Sequence, residues 1–212
     1  MLRPGPLQRA RCMSGMDNLQ RIRRSIGDRA IGPLVALLVR LRISPSAVTI
    51  TGTLFTVLAG WLAFQGLFLW SGLVLASAGV ADMADGALAR ATSRVSRFGA
   101  VLDSTCDRIS EAALLMGIAM WFVIVGEPIA VAISYIALVS SFLVSYLRAR
   151  GESLGLDVKV GLCTRPERVI VLAVGLLTGF VFIAVSLIAL CASVTVVQRL
   201  VHVQQTGKET QD

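Results

Sequence analysis

The chain has 212 residues, of which 55% are hydrophobic and 16% charged, and its formal net charge is +7. That apolar share is too high for an ordinary soluble domain of this length. The basic excess alone would suit a nucleic-acid-binding protein, but the arginines flank apolar segments instead of forming a soluble basic face. The sequence therefore predicts a membrane protein whose partners are anionic headgroups and phosphorylated substrates, with no nucleic acid among them.

The chain begins with two segments of different character. Residues 1–16 lack the long apolar core of a secretory signal, so we expect a flexible tail. Residues 17–42 place Arg21, Arg24 and Arg29 beside apolar residues at helical spacing. This pattern predicts an amphipathic juxtamembrane helix that lies along the membrane surface. A basic cluster that only sets the membrane topology is the alternative.

Apolar runs long enough to cross about 30 Å of hydrocarbon recur from Val48 onward. Short turns or charged patches separate them, which predicts one membrane domain over residues 17–203. Residues 204–212 are predicted to be a cytoplasmic tail. The first four predicted spans are residues 46–64, 68–90, 98–125 and 128–146.

The last apolar stretch, residues 169–197, would be about 43 Å long as a straight helix. That length is long for one span and short for two, and a turn near Gly179 would divide it. If this stretch forms two spans, every Lys and Arg falls on one side of the membrane. The loops on the other side, at residues 65–67 and 126–127 and near Gly179, contain no basic residue. By the positive-inside rule, both termini are cytoplasmic. The predicted fold is an all-α integral membrane protein with six transmembrane helices within residues 46–197.

Four aspartates lie on two consecutive predicted helices, near ends that also carry arginines. Asp82 and Asp85 are three residues apart and Asp103 and Asp107 are four apart, so each pair shares one helical face. A charged side chain at mid-bilayer costs about 2.5 to 3.5 kcal/mol, so the four together need compensation. Oxygen ligands suit hard divalent cations, and we predict a site for two ions of Mg²⁺ or Mn²⁺. Simple pairing of the acids with neighbouring arginines is the alternative.

The surroundings of the acids favour an enzyme over two other classes of membrane protein. Gly86 and Gly99 leave bare backbone where a phosphate or nucleotide could approach, and Ala89 keeps the same face open. A divalent-cation transporter would also need intramembrane acids, but near the bilayer midplane instead of arginine-rich ends. A scaffold without catalytic activity would need no four-acid metal site.

The motif D-x₂-D-G-x₂-A-R-x₈-G-x₃-D-x₃-D runs from Asp82 to Asp107. It resembles the signature of the CDP-alcohol phosphatidyltransferases, and the six-span layout and residues 44–49 extend the resemblance over residues 30–203. Enzymes of this family transfer a phosphatidyl-type group from a CDP-lipid to an alcohol and release CMP. The resemblance implies a phospholipid-synthesising enzyme of the lipid bilayer that forms a homodimer. Its donor would be CDP-diacylglycerol or a CDP-ether lipid.

The resemblance also implies roles for single residues. Asp82, Asp85 and Asp103 would hold the metal ions. Asp107 would accept the proton of the acceptor hydroxyl and would also contact a metal. The residues implied to bind the CDP-lipid are Thr49, Gly86, Ala89, Arg90 and Gly99.

A second set of arginines lies on the same predicted side of the membrane. Residues 145–152 read S-Y-L-R-A-R-G-E, and R-P-E-R and V-Q-R follow at residues 165–168 and 197–199. Within the family, these segments resemble the branch that makes phosphatidylinositol phosphate in actinobacteria and its archaeal relatives. The resemblance implies that a phosphorylated alcohol acceptor is bound through Ser145, Arg148, Arg168 and Arg199.

Arginine forks suit a phosphate dianion, so a phosphorylated acceptor is favoured over serine, choline or free inositol. Inositol phosphate is the first expectation and glycerol 3-phosphate the second. Arg148 stands where that branch commonly has lysine. A role of these arginines in setting topology alone is the alternative.

Overall fold

The computed structural model describes residues 32–33, 36–41, 43–91, 96–158, 160–161 and 163–209. Within these residues the regular structure is helical and contains no strand. Residues 36–40 are helical, but most of the predicted amphipathic segment and the whole predicted tail lie outside the described residues. The helices that follow are α1 (Pro45–Phe64), α2 (Phe68–Ala91), α3 (Arg97–Val125), α4 (Pro128–Ser153), α5 (Arg165–Thr178) and α6 (Val181–Glu209).

Serine caps define the starts of α1 and α3. The Oγ of Ser44 accepts the N–H of Ala47 at 3.3 Å, and Pro45 occupies the first helical position, where no amide hydrogen is needed. The Oγ of Ser96 accepts the N–H of Gly99 at 2.9 Å in the same manner. Both caps lie at the end of the molecule that carries the acids.

Three tight turns lie at the opposite end, at the positions predicted from the absence of basic residues. Gly66, Gly126 and Gly179 have φ values of 75°, 78° and 78°, a left-handed conformation that glycine adopts without steric cost. Gly126 and Gly179 are the residues at which α3 and α5 end. The turn at Gly179 divides the last apolar stretch into two helices, as predicted.

Four helices in the described part of the chain, α1, α3, α4 and α6, are long and apolar enough to cross a membrane. Helix α2 carries two of the aspartates, and α5 has 14 residues, which rise about 21 Å. The last helix continues to Glu209 and so includes most of the predicted tail. The protein is a multi-pass, all-helical membrane protein.

The six helices pack in a ring. Neighbours around the ring follow the order α1, α3, α4, α6, α5 and α2, and α2 returns to α1. Helices α3 and α5 are therefore not neighbours in the ring. Side chains that join these two helices must cross its interior, which places them at the centre of the molecule.

The apolar core fills the half of the ring nearest the three tight turns, and the polar side chains are gathered in the other half. In the core half, α1 and α3 approach so closely that a Cβ on Gly117 would lie 2.0 Å from the carbonyl oxygen of Gly60. Only glycine fits at such a crossing. The core includes Ala59, Leu114, Leu115, Ile118, Leu172, Leu176, Val185 and Ile188.

Candidate active site

Three of the predicted metal ligands lie together between α2 and α3. One carboxylate oxygen from each of Asp82, Asp85 and Asp103 lies within 4.8 Å of the other two. An all-oxygen donor set of this size fits a hard divalent cation. Asp107, one turn further along α3, is not part of that group of three.

Thr49 on α1 orients one of these ligands. Its Oγ1 donates a hydrogen bond to Oδ2 of Asp85 at 2.7 Å. Asp85 is a buried residue, so its carboxylate needs polar partners within the protein. Thr49, predicted to bind the CDP-lipid, thus contacts a predicted metal ligand, and its hydroxyl also lies 3.2 Å from the carbonyl oxygen of Pro45.

Arg165, the first residue of α5, bridges two acids from two other helices. Its Nη1 lies 3.0 Å from Oδ1 of Asp82, and its Nη2 lies 2.7 Å from Oδ1 of Asp107. A nearby arginine of α3, Arg108, lies 3.9 Å from Asp107. The sequence pattern places Arg165 on the same predicted side of the membrane as the acids, but nothing in the pattern predicts that its side chain reaches them.

A cavity of about 530 Å³ opens between α1, α2, α3 and α5. Asp82, Asp85 and Asp107 are among its polar lining residues, and most of the others are apolar side chains of α2 and α5. A cavity with acids in one part and hydrocarbon walls elsewhere suits an amphipathic ligand with a charged headgroup.

The predicted CDP-lipid residues are distributed unevenly around this cavity. Thr49 lines it, and two glycines that the sequence did not single out, Gly52 and Gly79, line it as well. Gly86 and Gly99 belong to described helices but are not among the lining residues. The side chains of Ala89 and Arg90 lie outside the described part of the structure.

A second cavity of about 300 Å³ lies between α3, α4, α5 and α6. The four residues predicted to bind the acceptor phosphate belong to three helices and lie up to 54 positions apart in the chain. All four nevertheless line this one cavity. Asp107 lines it as well. These four residues are Ser145, Arg148, Arg168 and Arg199.

The three arginines of the smaller cavity differ in exposure and in their partners. Arg148 is about half exposed, and its Nε donates to Oε1 of Glu152 at 2.8 Å. Arg199 is buried; its Nε donates to the carbonyl oxygen of Val160 at 2.9 Å, and its Nη1 donates to that of Val144. One arginine is therefore exposed and paired with an acid, and another is buried and held by backbone carbonyls.

Arg168 is the most completely enclosed of the three. It is 1% exposed, and its Nε and Nη2 donate to the two carboxylate oxygens of Glu111 at 2.6 and 2.9 Å. Its Nη1 donates to the carbonyl oxygen of Cys163 at 3.0 Å. Glu111 was not predicted as a site residue, although it follows Asp107 by four residues and so extends the acidic face of α3 by one turn.

The fold and site are those of a membrane protein with an acidic centre between two cavities. The chain belongs to the CDP-alcohol phosphatidyltransferase family and is therefore a transferase. The model of that family matches residues 42–204. The resemblance inferred from the motif at Asp82 to Asp107 is thereby confirmed.

Two relatives whose names state an activity are similar to most of this chain. The phosphatidylinositol phosphate synthase of Streptomyces avermitilis is 37% identical over an alignment that covers 92% of this chain and 86% of that protein. The archaetidylinositol phosphate synthase of Pyrococcus horikoshii is 38% identical over 164 residues, or 77% of this chain and 85% of that protein.

Solved structures from Mycobacterium tuberculosis share the fold. Its phosphatidylinositol phosphate synthase with CDP-DAG bound has a TM-score of 0.78 at 34% identity, covering 82% of this chain and 94% of that chain. The same enzyme in complex with manganese and citrate has a TM-score of 0.77 at 34% identity, covering 81% of this chain and 88% of that chain.

Proposed function

We propose that this protein transfers the phosphatidyl group of CDP-diacylglycerol, or of a CDP-ether lipid, to inositol phosphate and releases CMP. The observation that carries the proposal is the smaller cavity, in which Ser145 and three arginines lie with Asp107. Guanidinium groups bind phosphate through paired, charge-assisted hydrogen bonds. The names of the relatives, which include phosphatidylinositol phosphate and archaetidylinositol phosphate synthases, support the same acceptor.

The larger cavity is proposed to hold the donor. Its acids would hold the metal ions that bind the pyrophosphate, and its apolar walls suit the beginning of the lipid chains. A related enzyme of known structure binds CDP-DAG, which supports this assignment. We propose that Thr49, Gly86, Ala89, Arg90 and Gly99 contribute to donor binding.

Mg²⁺ or Mn²⁺ is the proposed cofactor, with two ions held by Asp82, Asp85, Asp103 and Asp107. The close approach of the first three carboxylates fits such ions, and a related enzyme has been solved with manganese. When bound, divalent cations would supply positive charge against the negative charge that grows on the departing CMP.

Asp107 is the proposed general base because it lines both cavities. The acceptor hydroxyl oxygen would attack the phosphorus that carries the diacylglycerol, and its proton would pass to a carboxylate oxygen of Asp107. The bond would break between that phosphorus and the oxygen that joins the two phosphorus atoms of the pyrophosphate. CMP would leave with the electron pair of that bond. Arg165, held 2.7 Å from Asp107, would orient the base.

The acidic end of the ring is proposed to face the cytoplasm, together with both termini of the chain. This orientation follows the placement of Lys and Arg around six spans. It would let the donor keep its tails in hydrocarbon while its headgroup meets a water-soluble acceptor in the cytoplasmic membrane. We also propose that residues 17–42 form the amphipathic helix and that residues 1–16 and 204–212 are tails. The protein is proposed to be a homodimer.

An acceptor screen tests the function. Purified protein is given CDP-diacylglycerol and Mg²⁺, and CMP release is followed with inositol phosphate, glycerol 3-phosphate, serine or free inositol. We expect release with inositol phosphate, loss of release in excess EDTA, and recovery with added Mg²⁺ or Mn²⁺.

The other outcomes of the screen are equally specific. Preference for glycerol 3-phosphate would replace the proposed acceptor but keep a phosphorylated one. Preference for serine or free inositol would remove the role of the arginine-lined cavity. Full activity in EDTA would contradict the metal site.

A further inference from the structure

Two ion pairs cross the interior of the ring between α3 and α5. Asp107 pairs with Arg165 at 2.7 Å, and Glu111 pairs with Arg168 at 2.6 Å. The acids are one turn apart on α3, and the arginines are three residues apart on α5. Since α3 and α5 are not neighbours in the ring, these side chains form the wall between the two cavities.

The two members of the second pair face different cavities. Glu111 lines the larger cavity, which is the proposed donor site, and Arg168 lines the smaller one, which is the proposed acceptor site. Arg168 therefore lies between Glu111 and the smaller cavity. Glu111 is placed to act on the acceptor only through the arginine.

Arg168 has more hydrogen-bond donors than it has partners among the described residues. A guanidinium group has five N–H donors. Three of them point to the two oxygens of Glu111 and to the carbonyl oxygen of Cys163. The other two N–H groups, one on Nη1 and one on Nη2, have no acceptor in the described part of the chain, and a phosphate can be bound by such a pair.

A contribution to protein stability is a weak explanation for the buried ion pair between Glu111 and Arg168. Buried ion pairs lose so much hydration that apolar residues of similar size often stabilise a protein as well or better. The bidentate contact does, however, fix the plane of a guanidinium that is otherwise attached to a flexible chain. A fixed plane matters where the arginine must meet a ligand in a defined orientation.

We propose that Glu111 is a positioning residue for the acceptor phosphate. It holds Arg168 so that these two N–H groups of Nη1 and Nη2 face the smaller cavity, and it does not itself touch the acceptor. This inference rests on the proposed function, because it requires a phosphorylated acceptor in that cavity.

The first test is Glu111→Gln, which replaces one carboxylate oxygen with an amide nitrogen that faces a donor of Arg168. We expect the apparent KM for inositol phosphate to rise about tenfold or more, because the guanidinium loses its fixed orientation. The KM for CDP-diacylglycerol should change less than about threefold. Glu127→Gln, an exposed acid at the start of α4, is the matched control and should leave both values unchanged.

A double-mutant cycle separates positioning from general stability. If Glu111 acts through Arg168, Glu111→Gln should add little to the KM of an Arg168→Gln protein. If the glutamate only supports the fold, the two effects should add. Additive effects, or an unchanged acceptor KM in Glu111→Gln, would overturn the proposal.

Glu111→Asp covers the case in which Glu111→Gln does not fold. It keeps the charge but is one methylene shorter, so we expect a smaller rise in acceptor KM. An unchanged acceptor KM in a folded Glu111→Asp protein would then overturn the proposal. If the wild-type protein uses no phosphorylated acceptor, both the proposed function and the role of Glu111 fail; if it does use one, these variants test Glu111 alone.

Discussion

One carboxylate, Asp107, is in contact with both cavities, and its neighbour Arg165 fixes one of its oxygens at 2.7 Å. Asp107→Asn keeps the size of the side chain and most of its hydrogen bonding but removes the proton acceptor. We expect turnover to fall by about 10² or more, with a smaller change in the affinity for CDP-lipid. CMP release and lipid binding by the purified variant measure the two effects. Near-normal turnover would show that another group accepts the proton.

The hydroxyl of Thr49 controls the orientation of a predicted metal ligand. Thr49→Val keeps the shape of the side chain and removes the 2.7 Å hydrogen bond to Asp85. We expect Mn²⁺ to bind about 10- to 100-fold more weakly, as for other residues that orient a metal ligand. Titration followed by electron paramagnetic resonance gives the affinity.

Thr51→Val is the matched control for that experiment. Thr51 is exposed on the same helix, and its hydroxyl donates to the backbone carbonyl of Ala47 at 2.8 Å instead of to an acid. Mn²⁺ binding should be unchanged in this variant. Equal losses in both variants would mean that the fold of α1, and not the contact with Asp85, is responsible.

At the scale of the helices, Arg165 joins α5 to both α2 and α3 through Asp82 and Asp107. Arg165→Gln should lower the free energy of unfolding in EDTA by about 1 to 3 kcal/mol, because charge-assisted hydrogen bonds are lost and the acids repel each other. Added Mn²⁺ should then stabilise the variant more than it stabilises the wild type. Thermal unfolding in detergent, with and without Mn²⁺, measures both effects.

Arg148→Gln is the control for the loss of an arginine. Arg148 pairs with Glu152 on the surface of the same helix, a contact of small value. We expect little change in thermal unfolding and no added response to Mn²⁺. If Arg165→Gln behaves in the same way, the bridge between the helices contributes nothing to their packing.

The helices could be predicted from the sequence because apolar length, capping residues and the absence of basic residues in three loops are local signals. Even the turn at Gly179 follows from them. The contacts of Arg165 and Glu111 could not be predicted in this way, since they depend on which helices face each other across the ring. The motif contains the acids of α2 and α3, but it does not contain the arginines of α5 that pair with acids of these helices.

The orientation of the whole molecule can be tested by labelling single cysteines in intact cells, after the four native cysteines are replaced by serine. Gln65 and Glu127 lie in or beside the tight turns, and Ser153 ends α4 at the other end of the ring. Cysteines at Gln65 and Glu127 should react with an impermeant maleimide, and one at Ser153 should react only after the cells are opened. The reverse pattern would invert the proposed topology.

The wall of ion pairs also means that both substrates can be bound at the same time. Each proposed substrate has its own compartment, and Asp107 and Arg165 are the residues that line both. CMP does not have to leave before the acceptor enters, so the phosphatidyl group can pass directly from donor to acceptor without a covalent enzyme intermediate. Initial rates measured at varied donor and acceptor concentrations should give intersecting double-reciprocal lines; parallel lines, the pattern of a ping-pong enzyme, would mean that CMP departs before the acceptor arrives.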